Sequence, residues 1–353
     1  MKALIYKTID QDFIKEWETL WRDSVSANYV NSPQWFTAVL ETFEYKNFAI
    51  VAVYNSEILV GVAAFVKEKK YGIPCYTVAP GDFACAFPFL FDLGNKEIAK
   101  LLFGKLSTLG NIFIGNIAEK YLNYFMQKSL STKAIPFSIN YHFSFKKDDN
   151  NNVLISNRKK LLHEARNITE KLTFTVFDGT DKNGLDAVFR IDLQSRKQTR
   201  GYSTFADDKI QSFYKQLAKE FKKDLLIGIL YLENKPIAYG TGFLINNNFY
   251  YNQMAYLAEF RQYSPGKVLL VKLIDYLNTR NAQTFDFGSG DSFIKKLVTE
   301  ETDTLYQIIM TKNKFILQYV VSLYTARRRV FEQLSKNKKG YKVYKEIKKK
   351  FIS

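Results

Sequence analysis

The sequence predicts an α/β (α+β) protein of two related units in tandem. Each unit is a mixed, mostly antiparallel sheet flanked by helices, and a basic helical segment closes the chain. Three observations carry this expectation. A helix–strand–strand order occurs twice, roughly 178 residues apart, which implies two copies of one supersecondary unit. A helical crossover follows the second hairpin, so that unit contains a parallel pair of strands. Positive charge gathers at one end: residues 312–353 hold 13 Lys and Arg against Glu332 and Glu346, a net of +11 in a chain of net +16.

The first unit is expected over 1–150. Residues 10–22 and 33–44 place Trp17, Leu20 and Trp21, then Trp35, Phe36, Val39, Leu40 and Phe43, at helical spacing. NSPQWF (31–36) reads as a helix start, with Ser32 as N-cap and Pro33 in the first turn. FAIVAVY (48–54) and ILVGVAAFV (58–66) read as a hairpin. The polar run KKDDNNN (146–152) marks the expected boundary.

The second unit is expected over 151–312. SNRKKLLHEARNI (156–168) reads as a basic helix with Leu161, Leu162 and Ala165 inward. IQSFYKQLAKEF (210–221) is an amphipathic helix, followed by strands at 225–231 and 237–245. Set beside the first hairpin, this one shares strand, turn and strand, and Gly61 falls level with Gly240. FYYNQMAY (249–256) is a third antiparallel strand. The loop LAEFRQYSP then opens a helix in which Leu270, Leu273, Ile274 and Leu277 face inward. QTFDFG (283–288) is a strand parallel to 249–256, because a helix joins them. The third segment, 313–353, ends in GYKVYKEIKKKFI (340–352), which places Tyr341, Tyr344, Ile347 and Phe351 on one stripe among lysines. Such a helix suits an anionic membrane surface.

Composition excludes several classes. At 46% hydrophobic and 24% charged the chain is globular, not disordered. MKALIYKTIDQDFIKEW meets charge before any leader-length apolar run, so a cytoplasmic location is expected. FILQYVVSLY (315–324) is about half a membrane span. Cys75 and Cys85 read as thiols, and His142 and His163 share no metal-ligand spacing.

Chemistry concentrates between residues 252 and 295. Pro265 and Gly266 open a helix whose N-terminal amides, flanked by Arg261 and Lys267, suit phosphate oxygens. Gly288, Gly290 and Asp291 lie just past the carboxyl end of the parallel strand, where such sheets bind ligands. A kinase is excluded despite Asp286-Phe287-Gly288, since the glycine-rich loop and HRD-type loop are missing. A P-loop is excluded because Val268 follows Lys267.

The pattern R-x-x-S-x-G-x-x-L (Arg261, Ser264, Gly266, Leu269), after a strand and opening a helix, resembles the acyl-CoA site of GNAT acyltransferases. Their signature is Q/R-x-x-G-x-G/A, and Ser264 stands here at its first glycine. YSPG-x-x-L-L followed by DFG-x-GD-x-x-x-K is similar to the CelD-like branch of cellulose and exopolysaccharide loci, itself related to Fem-type peptidoglycan aminoacyltransferases with two GNAT-like units.

The resemblance implies an acyl-CoA-dependent N- or O-acyltransferase, without metal, acting on a sugar or cell-envelope precursor that is a small molecule or lipid-linked. Arg261, Tyr263, Ser264, Gly266 and Lys267 would hold acetyl-CoA or another acyl-CoA. Asp291 is the first expected general base and Asp286 the second; Asp286 faces away from Phe285 and Phe287. Asn252, Gln253, Gly288, Gly290, Lys295, Arg196 and Arg200 would line the substrate side, with Lys295 placed to pair with Asp291 or to bind an acidic acceptor. Two alternatives stand beside this: a Fem-like enzyme using aminoacyl-tRNA, the one case with a nucleic-acid partner, and a catalytically inactive binding subunit.

Overall fold

The computed structural model describes residues 1–81, 83–125, 130–146, 155, 157–199, 201 and 203–334. Most of the expected boundary run, Arg200 and the stretch 340–352 lie outside these residues.

The first unit begins with β1 (Lys2–Tyr6), α1 (Gln11–Asp23), α2 (Pro33–Phe43), β2 (Phe48–Asn55), β3 (Ile58–Lys70) and β4 (Ile73–Thr77). It continues with β5 (Phe89–Phe91), α3 (Lys96–Leu106), β6 (Ile112–Ala118) and β7 (Ser131–Ser144). After α4 (Arg158–Leu162), the second unit runs β8 (Leu172–Asp178), α5 (Lys182–Leu193), α6 (Arg196–Thr199), α7 (Asp208–Phe221), β9 (Leu225–Leu232) and β10 (Lys235–Ile245). Then come β11 (Asn248–Tyr256), α8 (Pro265–Thr279), β12 (Thr284–Ser289), α9 (Phe293–Val298), β13 (Thr302–Thr311) and finally α10 (Lys314–Leu334).

Local chemistry explains the element starts. Asp10 and Ser32 cap α1 and α2 by accepting from the amides of Phe13 and Trp35. The β9–β10 and β10–β11 turns put Glu233 and Asn234, then Asn246 and Asn247, at positive φ. That is the backbone twist a two-residue hairpin loop demands. The expected basic helix is shorter than its sequence suggests: α4 stops at Leu162 and a 3-10 stretch, His163–Lys171, follows. Leu161 and Ala165 are nevertheless buried, and Arg158 ties the segment to α8 through Asp275 at 2.7 and 2.5 Å.

One sheet carries both units, in the order β1-β2-β3-β4-β6-β13-β7-β12-β11-β10-β9-β8, with β5 on β3. Its parallel pairs are β4 with β6 and β11 with β12, each bridged by a crossover helix. Both hairpins carry a bulge two residues into their second strand, at Val60 and at Ile237. Aligning the bulges sets Gly61 level with Ala238, not Gly240, so the repeat is real while its glycine match was not positional.

The two last strands are exchanged. β7 ends the first unit yet pairs with β12 of the second, and β13 ends the second yet pairs with β6 of the first. Between those pairings β7 and β13 pair with each other over ten positions. On one face of the sheet the units also meet through aromatic rings. Tyr29 stacks on Phe243 at 4.7 Å, and Trp35 meets Phe213 edge-on at 5.1 Å. All four rings are buried.

Candidate active site

The site grows from a divergence of strands. β11 and β12 pair in parallel only as far as Tyr250 and Asp286. Beyond them β11 bulges at Asn252, which has no partner on β10, and β12 bulges at Phe287 and Gly288 against β7. Two parallel strands that bulge at the same level separate, and the gap opens at their carboxyl ends.

A segment of the first unit reaches this gap. A Cβ placed on Gly288 would stand 3.6 Å from the Cβ of Cys85. The Tyr29 hydroxyl donates to the Phe83 carbonyl at 2.8 Å and accepts from the Cys85 amide at 2.9 Å. Asn252 donates to the same carbonyl at 3.4 Å and accepts from the Tyr214 hydroxyl. Gln253 accepts from Thr204 at 3.0 Å. Asn252 and Gln253 thus tie α7 and the first unit's loop to β11, at the mouth of the gap.

Asp286 occupies the apex. Phe285 and Phe287 point into the core, so alternation along the strand turns Asp286 the other way, as its neighbours in sequence implied. Gly288 N–H donates to Oδ1 at 2.7 Å and Asn140 Nδ2 donates to Oδ2 at 3.0 Å. Burial pushes the carboxyl pKa up; those two donors and the charges of His142 and Lys295 hold the rise in check. Asn140 sits on the exchanged strand β7 and is only 6% exposed. A carboxylate accepts and cannot donate, so Asn140 must present its nitrogen to Asp286. Its Oδ1 is left buried with no hydrogen-bond partner. An unmade bond of that kind costs stability, and it lies directly beside the carboxylate.

The other expected residues separate into roles. Asp291 is exposed; Lys296 and Tyr141 each donate to it at 2.9 Å and hold its pKa down. The expected Lys295–Asp291 pair does not form. Ser292 caps α9, so Asp291 stands outside the helix and Lys295 turns back. Its ammonium donates to the carbonyls of Gly288, Ser289 and Gly290 at 2.9, 3.2 and 2.9 Å. It thereby braces a turn in which both glycines hold positive φ. Burial lowers the Lys295 pKa, opposed by Asp286, Cys85 and Asp291.

The donor side lies at the start of α8. Ser264 takes φ +46°, the left-handed conformation that a glycine would adopt freely. Its carbonyl accepts from the amides of Lys267 and Val268 at 2.9 and 3.4 Å. Pro265 has no N–H to leave unpaired at the helix start, and Gly266 after it is buried. A Cβ on Gly266 would stand 2.6 Å from the Met254 Cε, the far end of a flexible side chain, so a larger residue there would require Met254 to shift. Lys267 is committed to Glu164 at 2.5 Å, an ion pair that lowers the Glu164 pKa.

Arg261 is exposed and Tyr263 half-buried beside this turn. A bridge between Ser195 and Leu257 brings α6, with Arg196, to the same edge. For a diphosphate the fit is therefore partial: the Ser264 hydroxyl and the exposed Arg261 are suited to it, and the nearest lysine is occupied.

Sequence reasoning missed Asn140, Tyr29, Cys85 and Tyr250. Tyr250 alone had a local signal, two places before Asn252 on a recognised strand and level with Asp286. Burial raises its pKa and keeps the phenol neutral. The Tyr121 phenol, close enough to be affected by Asp286, is pushed up to about 12 by burial.

Residues 156–296 match the family model described as an acetyltransferase (GNAT) domain. Among solved structures the chain is similar to FemX, with a TM-score of 0.62 and 13% identity over 87% of this chain and 97% of that one. It is similar to the C-terminal domain of a putative lysylphosphatidylglycerol synthetase from Agrobacterium fabrum, with a TM-score of 0.55 and 10% identity over 89% and 95% of the two chains. L-PGS from Bacillus licheniformis is a third, with a TM-score of 0.52 and 13% identity over 83% and 97%. No curated protein matches the chain. Identities this low speak to the fold alone, which the chain shares with these structures, while the acetyltransferase (GNAT) match is confined to residues 156–296; the CelD-like branch is not distinguished by them. Among the described residues no group of His, Cys, Asp and Glu is placed to hold a metal.

Proposed function

We propose that this GNAT-fold chain is an acyltransferase that moves an acyl group from acyl-CoA to an amine, with Asp286 as general base. The acceptor would be a sugar or another cell-envelope precursor, in line with the CelD-like motifs. One observation carries the reading: a carboxylate of raised pKa at the strand gap, beside a buried amide oxygen that lacks a donor. An amine brings several N–H groups, so it can give a proton to Asp286 and a hydrogen bond to Asn140 Oδ1. A hydroxyl has one hydrogen and can satisfy only one of the two, which favours N- over O-transfer.

The thioester supplies an activated carbonyl. The nucleophile's N–H proton passes to Asp286 as the C–N bond forms, the C–S bond breaks, and that proton then goes to the released thiolate, which leaves as the thiol and returns Asp286 to its ionised form. The neutral phenols of Tyr250 and Tyr121 are hydrogen-bond donors near that carboxylate. Their raised pKa values make them poor proton donors, so they suit holding a polarised oxygen.

Saturable acyl-CoA binding, with thiol release on addition of amino sugars, tests the reading. Tight CoA binding with no turnover across that acceptor panel would favour a binding subunit.

The Lys267–Glu164 pair favours a second reading, in which aminoacyl-tRNA is the donor and this turn need not hold a diphosphate. Its signature is tRNA binding that weakens steeply with salt. The pair also sets an expected result for the first reading. Glu164→Gln frees the Lys267 charge and should tighten CoA binding about fivefold, equivalent to ~1 kcal/mol. Equilibrium titration reads it; unchanged affinity would place the phosphates elsewhere.

A further inference from the structure

We propose that α10 docks the protein on an anionic lipid bilayer through its outward face. One face of the helix packs on the sheet: Val320 is fully buried with Cys75, Phe113 and Ile309, and Arg328 donates to the Pro136 carbonyl at 2.6 Å. The opposite face carries Phe315, Tyr319, Leu323 and Val330, which are 81, 50, 38 and 47% exposed. Their spacing of four, four and seven keeps them on one stripe. Arg327 and Arg329 are exposed and flank it. A large aromatic and aliphatic stripe held in water is unfavourable unless something covers it.

Charge decides which partner fits. Beyond the described residues the sequence 335–353 adds eight lysines and one glutamate, Glu346. A second copy of α10, or the chain's own last residues, would bring more positive charge against Arg327 and Arg329. An anionic bilayer offers both complements: headgroups for the cations and the acyl boundary for the stripe. Among the described residues no helix is long and apolar enough to cross a membrane, so the contact is peripheral. It places the membrane contact on α10 itself, where the sequence had pointed to 340–352.

The test is co-sedimentation of the full chain with phosphatidylcholine vesicles, with and without phosphatidylglycerol. The chain is expected to bind the anionic vesicles, and salt to weaken it. Phe315→Ser, Tyr319→Ser and Leu323→Ser together should lower that partition at least ~10-fold, and Arg327→Gln with Arg329→Gln should lower it several-fold. Because these side chains lie outside the core, the variants should keep the thermal midpoint of the parent. Failure to bind anionic vesicles, or full binding by the triple-serine variant, overturns the proposal. So does a dimer that the serine substitutions dissociate, since the stripe would then cover a second copy.

Discussion

Asp286→Asn is expected to lower turnover by about 10²- to 10⁴-fold, the usual share of a positioned general base, while leaving the protein as stable or more so at alkaline pH. The sign follows from the raised pKa. Burial favours the protonated carboxyl in the folded state, so the group favours folding below its unfolded pKa. That contribution is lost as pH rises through the folded value, and an ionised carboxylate then stays buried at a cost. Asparagine never ionises. Its Oδ1 accepts from Gly288 N–H as Asp286 does, and if the Asn140 amide turns over, Asn140 Oδ1 accepts from the new Nδ2. The difference in thermal midpoint between variant and parent should therefore grow in the variant's favour as pH rises. A group placed only for structure would move stability and activity together.

The second large effect concerns the chain cut at its expected boundary. Residues 1–150 alone, or 151–353 alone, should show no cooperative unfolding transition. The first piece would leave β6 without β13 and β7 without both of its neighbours. The second would leave β12 and β13 without β7 and would expose Phe213 and Phe243, which Trp35 and Tyr29 cover. Unpaired strand edges of that length beside bare aromatic rings aggregate. Mixing the two pieces should restore a circular-dichroism melt. A cooperative melt from either piece by itself would mean the exchanged strands contribute little.

Much of the local structure was legible because it is written in local chemistry. Ser32-Pro33 announces α2, and the helical crossover makes β12 parallel to β11. Phe285 and Phe287 on either side of Asp286 fix which way that carboxylate faces. The expected pairing of Lys295 with Asp291 did not form, for a reason equally local. Counting four residues from Asp291 to Lys295 assumed both lie on one helix, and the Ser292 cap leaves Asp291 outside it.

Asn140 was invisible for a different reason. It lies 146 residues from Asp286 in sequence and meets it only because β7 crosses into the other unit's half of the sheet. Tyr29 and Cys85 reach the gap from the first unit in the same manner. Strand exchange leaves no periodicity to read, since β7 looks alike whichever unit it pairs with. The basic C-terminal run was plain in the sequence, but the exposed stripe on α10 needed the packing of its other face.

The pH dependence of kcat/KM for thiol release, compared between the parent and Asp291→Asn, tests the central claim most directly. A base that must be ionised makes the rate rise with pH to a plateau. Asp286, half-buried in the gap and partly desolvated, should place that rise above the ordinary carboxylate range near pH ~4, and Asp291→Asn should leave the profile within a few-fold of the parent. A profile abolished by Asp291→Asn and preserved in Asp286→Asn would contradict the account, and would return the role of base to the exposed carboxylate.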